Sequence, residues 1–535
     1  MAVLPATEVR RFSAVGKSAR SEPLIVSSFL GGLNNVADIT TIREDELHRM
    51  QNFELDSNGT LVSRPPIHQV AESPVVDAEI DLHGYYTDTN EDVFLVVSCS
   101  SGTYLYDIEN ETYTLITAIV ASGAAQFEGN LYISCATQAG GYYDGATFTQ
   151  LNTGATPMPK GEQIVLFKSR FFMISRESSS NKTRIWFSNI TTAGPGATSI
   201  NEWDPDNYFN VEAGDGQFIT KIVAATSEIY IFRSKSTFYY RYTSTPGDGI
   251  LEALSRTVGA DNKYSVQEYQ FSYLVLSGGR LYRFVSYQFY PLNDAQRIQF
   301  SQSQDTVDLS VFSALSVFGD RALVWFGGSM YALDLEKGSW SEWVSSTFFA
   351  WGVVAPRKEN DLTPDVIYGI TGLNTPALQA LYQSIDSYGQ NVEEEITCIA
   401  ETKAFDFGMP DSWKRLFYWA ADVYTARDIV GVADPIQYIS SVSLWDDFEA
   451  GTYDDLETGT WDYPLQPNPT VTTTVDYPVY VPYRLTATFQ KDMRFRRCSF
   501  TIQLTTDGTE LTGPVRVVSL SIQAVGKRGV SANLE

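Results

Sequence analysis

The chain has 535 residues, 43% of them hydrophobic and 19% charged, which excludes a disordered protein and allows a sizeable core. Its formal net charge of −26 sets up a field that repels free nucleic acid at long range, and reads either as a solubility device or as a surface past which DNA moves without sticking. No apolar run reaches the roughly 18 residues of a membrane span. The opening residues, MAVLPATEVRRFSAVGKSAR, lack the apolar stretch of a secretory signal, so the expected place of synthesis and residence is the cytoplasm, unless the chain leaves inside an assembly.

The residue choice favours strands. Tyr (31) and Phe (30) are abundant, and 38 Gly and 22 Pro supply turns. Residues 1–30 read as an N-terminal arm, mildly basic through Arg10, Arg11, Lys17 and Arg20 against Glu8. Such an arm is either a disordered terminus or one that orders on an acidic neighbouring subunit. Residues 31–73 form a motif segment leading into the next domain. Within it, 41–53 has a short helical pattern: Ile42, Leu47 and Met50 are apolar, and Glu44, Asp45 and Glu46 are acids in the first turn. Asp56-Ser57-Asn58-Gly59 is a turn, because Asn-Gly tolerates positive φ. Leu61-Val62 resumes as strand, and Pro65-Pro66 stops it.

From 74 to 390 one theme repeats. A short alternating strand meets a Gly/Asn/Asp/Ser turn, then a second strand rich in Tyr or Trp. The units fall at 91–116, 127–151, 168–189, 226–243, 271–292, 319–343 and 364–386. Their spacing is roughly 45 residues, the period of a four-stranded propeller blade. A blade cannot bury both faces alone, so a closed ring is the stable solution. The expected fold class is therefore all-β: a β-propeller of about seven blades, within a range of six to eight. The alternative for this region is a β-sandwich with irregular hairpins.

Residues 391–535 change rhythm. Strand candidates at 393–407, 413–424, 438–445, 483–490, 496–506 and 515–525 are longer and separated by long loops, which reads as an antiparallel β-sandwich. It carries an acidic, then Tyr/Pro-rich insertion at 446–483, read as a solvated loop or interaction tip.

A search for chemistry yields little. Gly16-Lys17-Ser18 ends like a phosphate-binding loop, but Arg11 stands where that loop needs glycine. His48, His68 and His83 sit at no metal-ligand spacing and read as structural or surface residues. Cys99, Cys135, Cys398 and Cys498 fit neither a zinc site nor a disulfide framework, and read as reduced and mostly buried. Trp340, Trp343, Trp413, Trp419 and Trp461 read as packing rather than sugar platforms. No catalytic residue, cofactor or metal ligand is assigned, and an enzyme is not expected.

Two stretches carry a resemblance. The first is Gly31-Gly32-Leu33-Asn34, then Asn52, then Asp56 to Gly59, Leu61 and Arg64-Pro65-Pro66. It resembles the start of the tail nozzle (tail tubular B) proteins of short-tailed bacteriophages. The second, ETKAFDFGMPDSWKRLFYWAADVY at 401–424, is similar to a strand pair late in phage propeller proteins of this sort. Together they cover about 60 residues. The resemblance implies a structural virion protein assembled in the host cytoplasm. It would be a homohexameric ring below a tail adaptor, carrying propellers outside and β-domains near the channel. The ring would retain the genome, open when tail fibres or spikes engage, and pass DNA without specific binding. Gly31, Gly32, Leu33, Asn34, Asn58, Gly59, Arg64 and Pro65 then shape the N-terminal fold. Asp446, Asp447, Asp454 and Asp455 would face the channel or a partner. The alternatives are a propeller module that binds or cleaves host surface polysaccharide, and another neck or tail propeller component.

Overall fold

A computed structural model describes the chain from residue 24 to 344, apart from 66, 76–79, 155, 178–181, 193–198, 213–215, 244–245, 294–297, 299, 301–312 and 327–328. Beyond 344 it describes the strands named below and residues 403–405.

Seven four-stranded antiparallel blades follow one another. Blade 1 comprises Asp81–Thr87, Val93–Cys99, Gly102–Asp107 and Thr112–Thr117. Blade 2 comprises Gly123–Phe127, Asn130–Ser134, Gly141–Tyr143 and Phe148–Gln150. Blade 3 is Gly161–Phe167, Arg170–Ser175, Arg184–Phe187 and Tyr208–Asn210. Blade 4 is Ile219–Ala224, Ile229–Arg233, Thr237–Arg241 and Ile250–Ser255. Blade 5 is Val266–Tyr269, Ser272–Ser277, Arg280–Val285 and Gln288–Pro291. In blade 6, Ala314–Phe318, Arg321–Phe326, Ser329–Asp334 and Trp340–Trp343 pair in order. Blade 7 takes Trp351–Val354, Val366–Ile370 and Ala377–Tyr382 from late in the chain, and its fourth strand, Ile67–Glu72, from before blade 1. The first strand of blade 7 also lies beside that of blade 1, so the ring closes. Each of the seven repeats seen in the sequence falls within one blade.

The core follows from strand alternation. Phe171 and Met173 of blade 3 pack with Tyr132 of blade 2. Their neighbours Phe172 and Ile174 face the other way, onto Ile222, Ile229 and Ile231 of blade 4. Likewise Leu323 and Trp325 of blade 6 join Leu378, Leu381, Leu82 and Leu95 of blades 7 and 1, while Ala322 and Val324 join Leu274 and Leu276 of blade 5. Successive side chains of a strand point to opposite faces, so every apolar pair serves two neighbours. Each fully buried Phe or Ile contributes about 1.5–3 kcal/mol. The result is a ring of apolar clusters between the blades, with blades 6, 7 and 1 sharing one of them.

The second domain is a sandwich of two sheets. One contains Val479–Thr488, Lys414–Arg427, Val515–Gly526, Leu61–Ser63 and Phe53–Leu55, with Leu24–Val26 and Arg494–Phe495 at its sides. The other extends blade 6: Trp340–Trp343 meets Glu46–Gln51, followed by Ile396–Thr402, Arg497–Thr506, Gln437–Trp445 and Thr460–Trp461. Val517, Leu520, Leu55 and Leu61 from the first sheet share a cluster with Leu47, Met50, Cys398 and Ala400 from the second. The same cluster takes in Leu276, Leu315 and Trp340, so propeller and sandwich are packed on one core. The late strands match their sequence positions closely.

Two expectations change. The helix expected over 41–53 is absent; Glu46–Gln51 is a strand. Its residues pair antiparallel with Ile396–Thr402 and in parallel with Gly32–Leu33, and those tertiary ladders override local helical pattern. Only a turn remains before it, in which Thr41 and Ile42 N–H groups bond the Asp38 carbonyl. The segment 31–73 also does more than lead into the propeller, since 32–63 supplies sandwich strands and Ile67–Glu72 closes blade 7. Residues 1–23, including Gly16-Lys17-Ser18, lie outside the described residues, as do 446–459 and 462–478 of the insertion. Among the described residues no helix is long and apolar enough to cross a membrane.

Candidate functional site at the propeller–sandwich junction

The N-terminal motif residues converge where blade 6 becomes the sandwich. Gly31 N–H donates to the Asp45 carbonyl (3.0 Å), and a Cβ at Gly31 would lie 2.5 Å from Glu46 Cγ. Gly32 adopts φ +63°, with blade 6 residues Ser339 and Trp340 about 3 Å from where a Cβ would stand. Leu33 pairs with Leu47 and is buried. Buried Asn34 donates from Nδ2 to Glu46 Oε2 (3.1 Å). Asp56 Oδ1 accepts from the N–H groups of Asn58 and Thr60 (both 2.8 Å), and Gly59 turns at φ +79°. The Gly59 carbonyl then accepts from Phe29 N–H (2.9 Å), tying the turn to the incoming chain.

Arg64 and Asn52 form the centre. Arg64 is fully buried. It donates from Nε to Asn52 Oδ1 (3.0 Å), from Nη1 to the Pro65 carbonyl (2.9 Å) and from Nη2 to the Val344 carbonyl (3.2 Å). Asn52 sits at φ +56°, a conformation Asn tolerates better than most residues. Its Oδ1 also accepts from Val344 N–H (2.7 Å), and its Nδ2 donates to the Thr397 carbonyl (2.7 Å). One asparagine thus joins the end of blade 6, the approach to the closing strand and a central sandwich strand. The sequence marked Asn52 only as a motif end; Asn at the end of a strand was the available signal for its role.

Two guanidinium groups, Arg64 and Arg321, each approach the Trp343 ring to 5.5 Å from its centroid. Arg321 pairs with Glu54 of the hairpin strand Phe53–Leu55. Burial pushes the Glu54 carboxyl above its ordinary range, against the opposing pull of Arg321. Beside this pair is a cleft of about 200 Å³ lined by Glu54, Leu55, Asp320, Arg321, Asp334 and Lys337. Lys337 bridges its walls, pairing with Asp334 and donating to the Leu55 carbonyl (3.2 Å). Tyr269 Oη donates to Asp320 Oδ1 (3.1 Å). Blade 6 brings the cations and the N-terminal hairpin the buried acid, so the seam resists separation but answers to protonation. No sequence signal pointed to this cluster, whose halves are far apart in the chain.

Elsewhere, Cys99, Cys135 and Cys398 are buried, the Cys398 thiol donating to the Asn52 carbonyl (3.3 Å), and Trp340 and Trp343 are core. His83 is buried in blade 1 with Nε2 2.7 Å from Ser98 Oγ. Among the described residues no three His, Cys, Asp or Glu side chains group as metal ligands. Asp446, Asp447, Asp454 and Asp455 lie outside the described residues, as does Trp413.

No family model and no curated protein matches the chain. Among solved structures, the extracellular domain of a putative one-component system from B. thetaiotaomicron aligns over 66% of this chain and 43% of its own, at 10% identity and a TM-score of 0.40. The computationally designed Ika8 protein aligns over 66% of this chain and 100% of its own, at 9% identity and a TM-score of 0.36. YCF48 from Cyanidioschyzon merolae aligns over 59% and 98%, at 13% identity and a TM-score of 0.36. At such distances none of the three bears on what this chain does, and the propeller is established by its own blades.

Proposed function

We propose that this chain is the tail nozzle subunit of a short-tailed bacteriophage, a structural virion protein that continues the DNA channel, retains the genome and opens for its ejection. The observation that carries the reading is the use made of the motif resembling nozzle proteins. Its residues clasp the propeller to the sandwich, and the strand that directly follows Arg64-Pro65-Pro66 closes the ring. A conduit subunit needs that coupling, because load on an outer propeller must reach an inner β-domain without the two parting. The acidic balance of −26 agrees with DNA sliding past without displacing counterions. Closed blades leave few strand edges free to aggregate in a dense particle. In this reading six copies ring below an adaptor, fibres or spikes attach outside, and no reaction is catalysed.

The test is electron microscopy of virions in which this subunit carries a label, with the full-length chain imaged alongside its adaptor. Label at the tail tip and six-fold rings are expected. A chain that stays monomeric with adaptor, or label away from the tail, overturns the reading.

A further inference from the structure

The cleft of about 200 Å³ at the propeller–sandwich seam presents polar groups that the seam itself leaves unused. One wall is a single face of blade 6. Phe318, Arg321 and Asp334 pair in a row across its strands, and Ala332 pairs with Ser341. Residues directly opposite in a ladder share a face, as do residues two apart, so all five stand on the same side of the sheet. The facing wall is Met50, Glu54 and Leu55 of the sandwich. Neither domain makes the cleft alone.

Two serines on the blade 6 side, Ser339 and Ser341, line the cleft and are only 5% and 4% exposed. Among the described residues neither hydroxyl has a hydrogen-bond partner. Asp320, exposed at the rim, takes the Tyr269 hydroxyl on Oδ1 (3.1 Å). Its Oδ2 meets no donor and its carboxylate no cation among the described residues. The other charges are spent on each other: Glu54 on Arg321, and Asp334 on Lys337, which also holds the Leu55 carbonyl. Buried polar groups are nearly always hydrogen-bonded, so two buried open hydroxyls on one cavity call for an occupant. Water meets that need alone and leaves the apolar part of the lining, Met50, Leu55 and Phe318, unmatched.

The open groups select the ligand. An anion meets the Asp320 carboxylate at the entrance, and a cation drawn in by Asp320 meets Arg321 and Lys337 behind it. A ligand hydroxyl both donates and accepts, so it can donate to Asp320 and bond either serine. C–H groups suit the apolar side. We infer that this cleft binds one neutral monosaccharide, free or at the end of a glycan chain, with Ser339, Ser341 and Asp320 as its hydrogen-bonding partners. The volume takes one sugar ring and not two. Because the walls belong to different domains, the bound sugar braces the seam. The inference is independent of the nozzle reading, and either survives failure of the other.

The full-length protein is titrated with D-glucose, D-galactose and D-mannose, and with sodium glucuronate and glucosamine hydrochloride at equal ionic strength, by calorimetry and saturation-transfer NMR. Saturable binding of at least one neutral hexose is expected, tighter than that of either charged sugar. Ser341→Ala is expected to weaken it roughly fivefold, and Ser339→Ala with Ser341→Ala together roughly tenfold or more. The ligand-free double variant should melt no lower than the natural protein, because these hydroxyls have no partner to lose. The methyl glycoside of the hexose that binds is the chain-end arm: equal affinity supports a glycan terminus as the source, and binding kept only by the free sugar supports a soluble one. Absence of saturable hexose binding, tighter binding of a charged sugar, undiminished binding by the double variant, or a lowered melting temperature of that variant without ligand each overturns the inference.

Discussion

Arg64 and Asn52 bond each other twice: the Arg64 N–H donates to the Asn52 carbonyl at 2.9 Å, and the Arg64 Nε to Asn52 Oδ1 at 3.0 Å. Backbone and side chain of one residue thus grip backbone and side chain of the other. Because Asn52 also holds Val344 and Thr397, the grip fixes the angle at which blade 6 enters the sandwich.

Asn52→Ala should destabilise the protein by about 2–4 kcal/mol, from side-chain bonds lost and a left-handed backbone that alanine resists. Asn52→Gly restores the backbone freedom alone, and should recover about 1 kcal/mol of that loss. Urea melts of the three proteins check the order; an Ala variant as stable as the natural protein would remove Asn52 from the centre of the junction.

Glu54 predicts a pH dependence of one sign. Its folded pKa is raised, so the folded state holds the proton more tightly than the unfolded one. Stability from this group is present below the ordinary glutamate range and is lost as pH rises through the raised value. Glu54→Gln should therefore flatten the stability curve in that window and leave stability at pH 7 undiminished. The difference between natural and variant unfolding curves, measured from pH 4 upward, isolates the effect from other carboxylates.

His83 predicts the opposite sign. Burial lowers it from 6.5 to about 4, so the unfolded state takes up the proton first. Its contribution is intact above pH 6.5 and is lost progressively as pH falls to about 4. The loss amounts to roughly 3 kcal/mol. In His83→Gln this acid slope should be shallower, and NMR of the imidazole should find the ring neutral at pH 5. A ring protonated at pH 6 would contradict the burial argument.

Closure predicts a local weakness. Gln69 pairs with Gln379 across the last ladder of blade 7. Gln69→Pro should loosen that ladder at a cost of about 3 kcal/mol, and limited proteolysis should then cut within blade 7 before other blades. Cleavage spread evenly over all blades would indicate that the N-terminal strand does not hold the ring.

Much of the fold was legible because alternation is a local signal. Phe171 to Ile174 announces a strand buried on both faces, and Asn58-Gly59 announces its turn, whatever lies elsewhere. The strand Glu46–Gln51 was not legible, since its apolar spacing also fits a helix and its pairing with Ile396–Thr402 lies in distant sequence. The closing role of Ile67–Glu72 was hidden for the same reason. At the junction the glycines and Arg64-Pro65 stood out by type. Glu54, Arg321, Asp334 and Lys337 did not, because single charges acquire meaning only from partners that folding brings to them.

The borrowed strand of blade 7 also sets a schedule. Ile67–Glu72 leaves the ribosome roughly 300 residues before Ala377–Tyr382, its partner. At about 5–20 residues per second that interval is about 15–60 seconds. Throughout it the early strand has its hydrogen-bonding edge bare, beside other nascent copies carrying the same edge. Exchange of this strand between copies is then the characteristic misassembly to expect when many copies are made at once, and a lower rate of initiation, which thins the nascent copies without lengthening the interval, should favour the correctly closed ring.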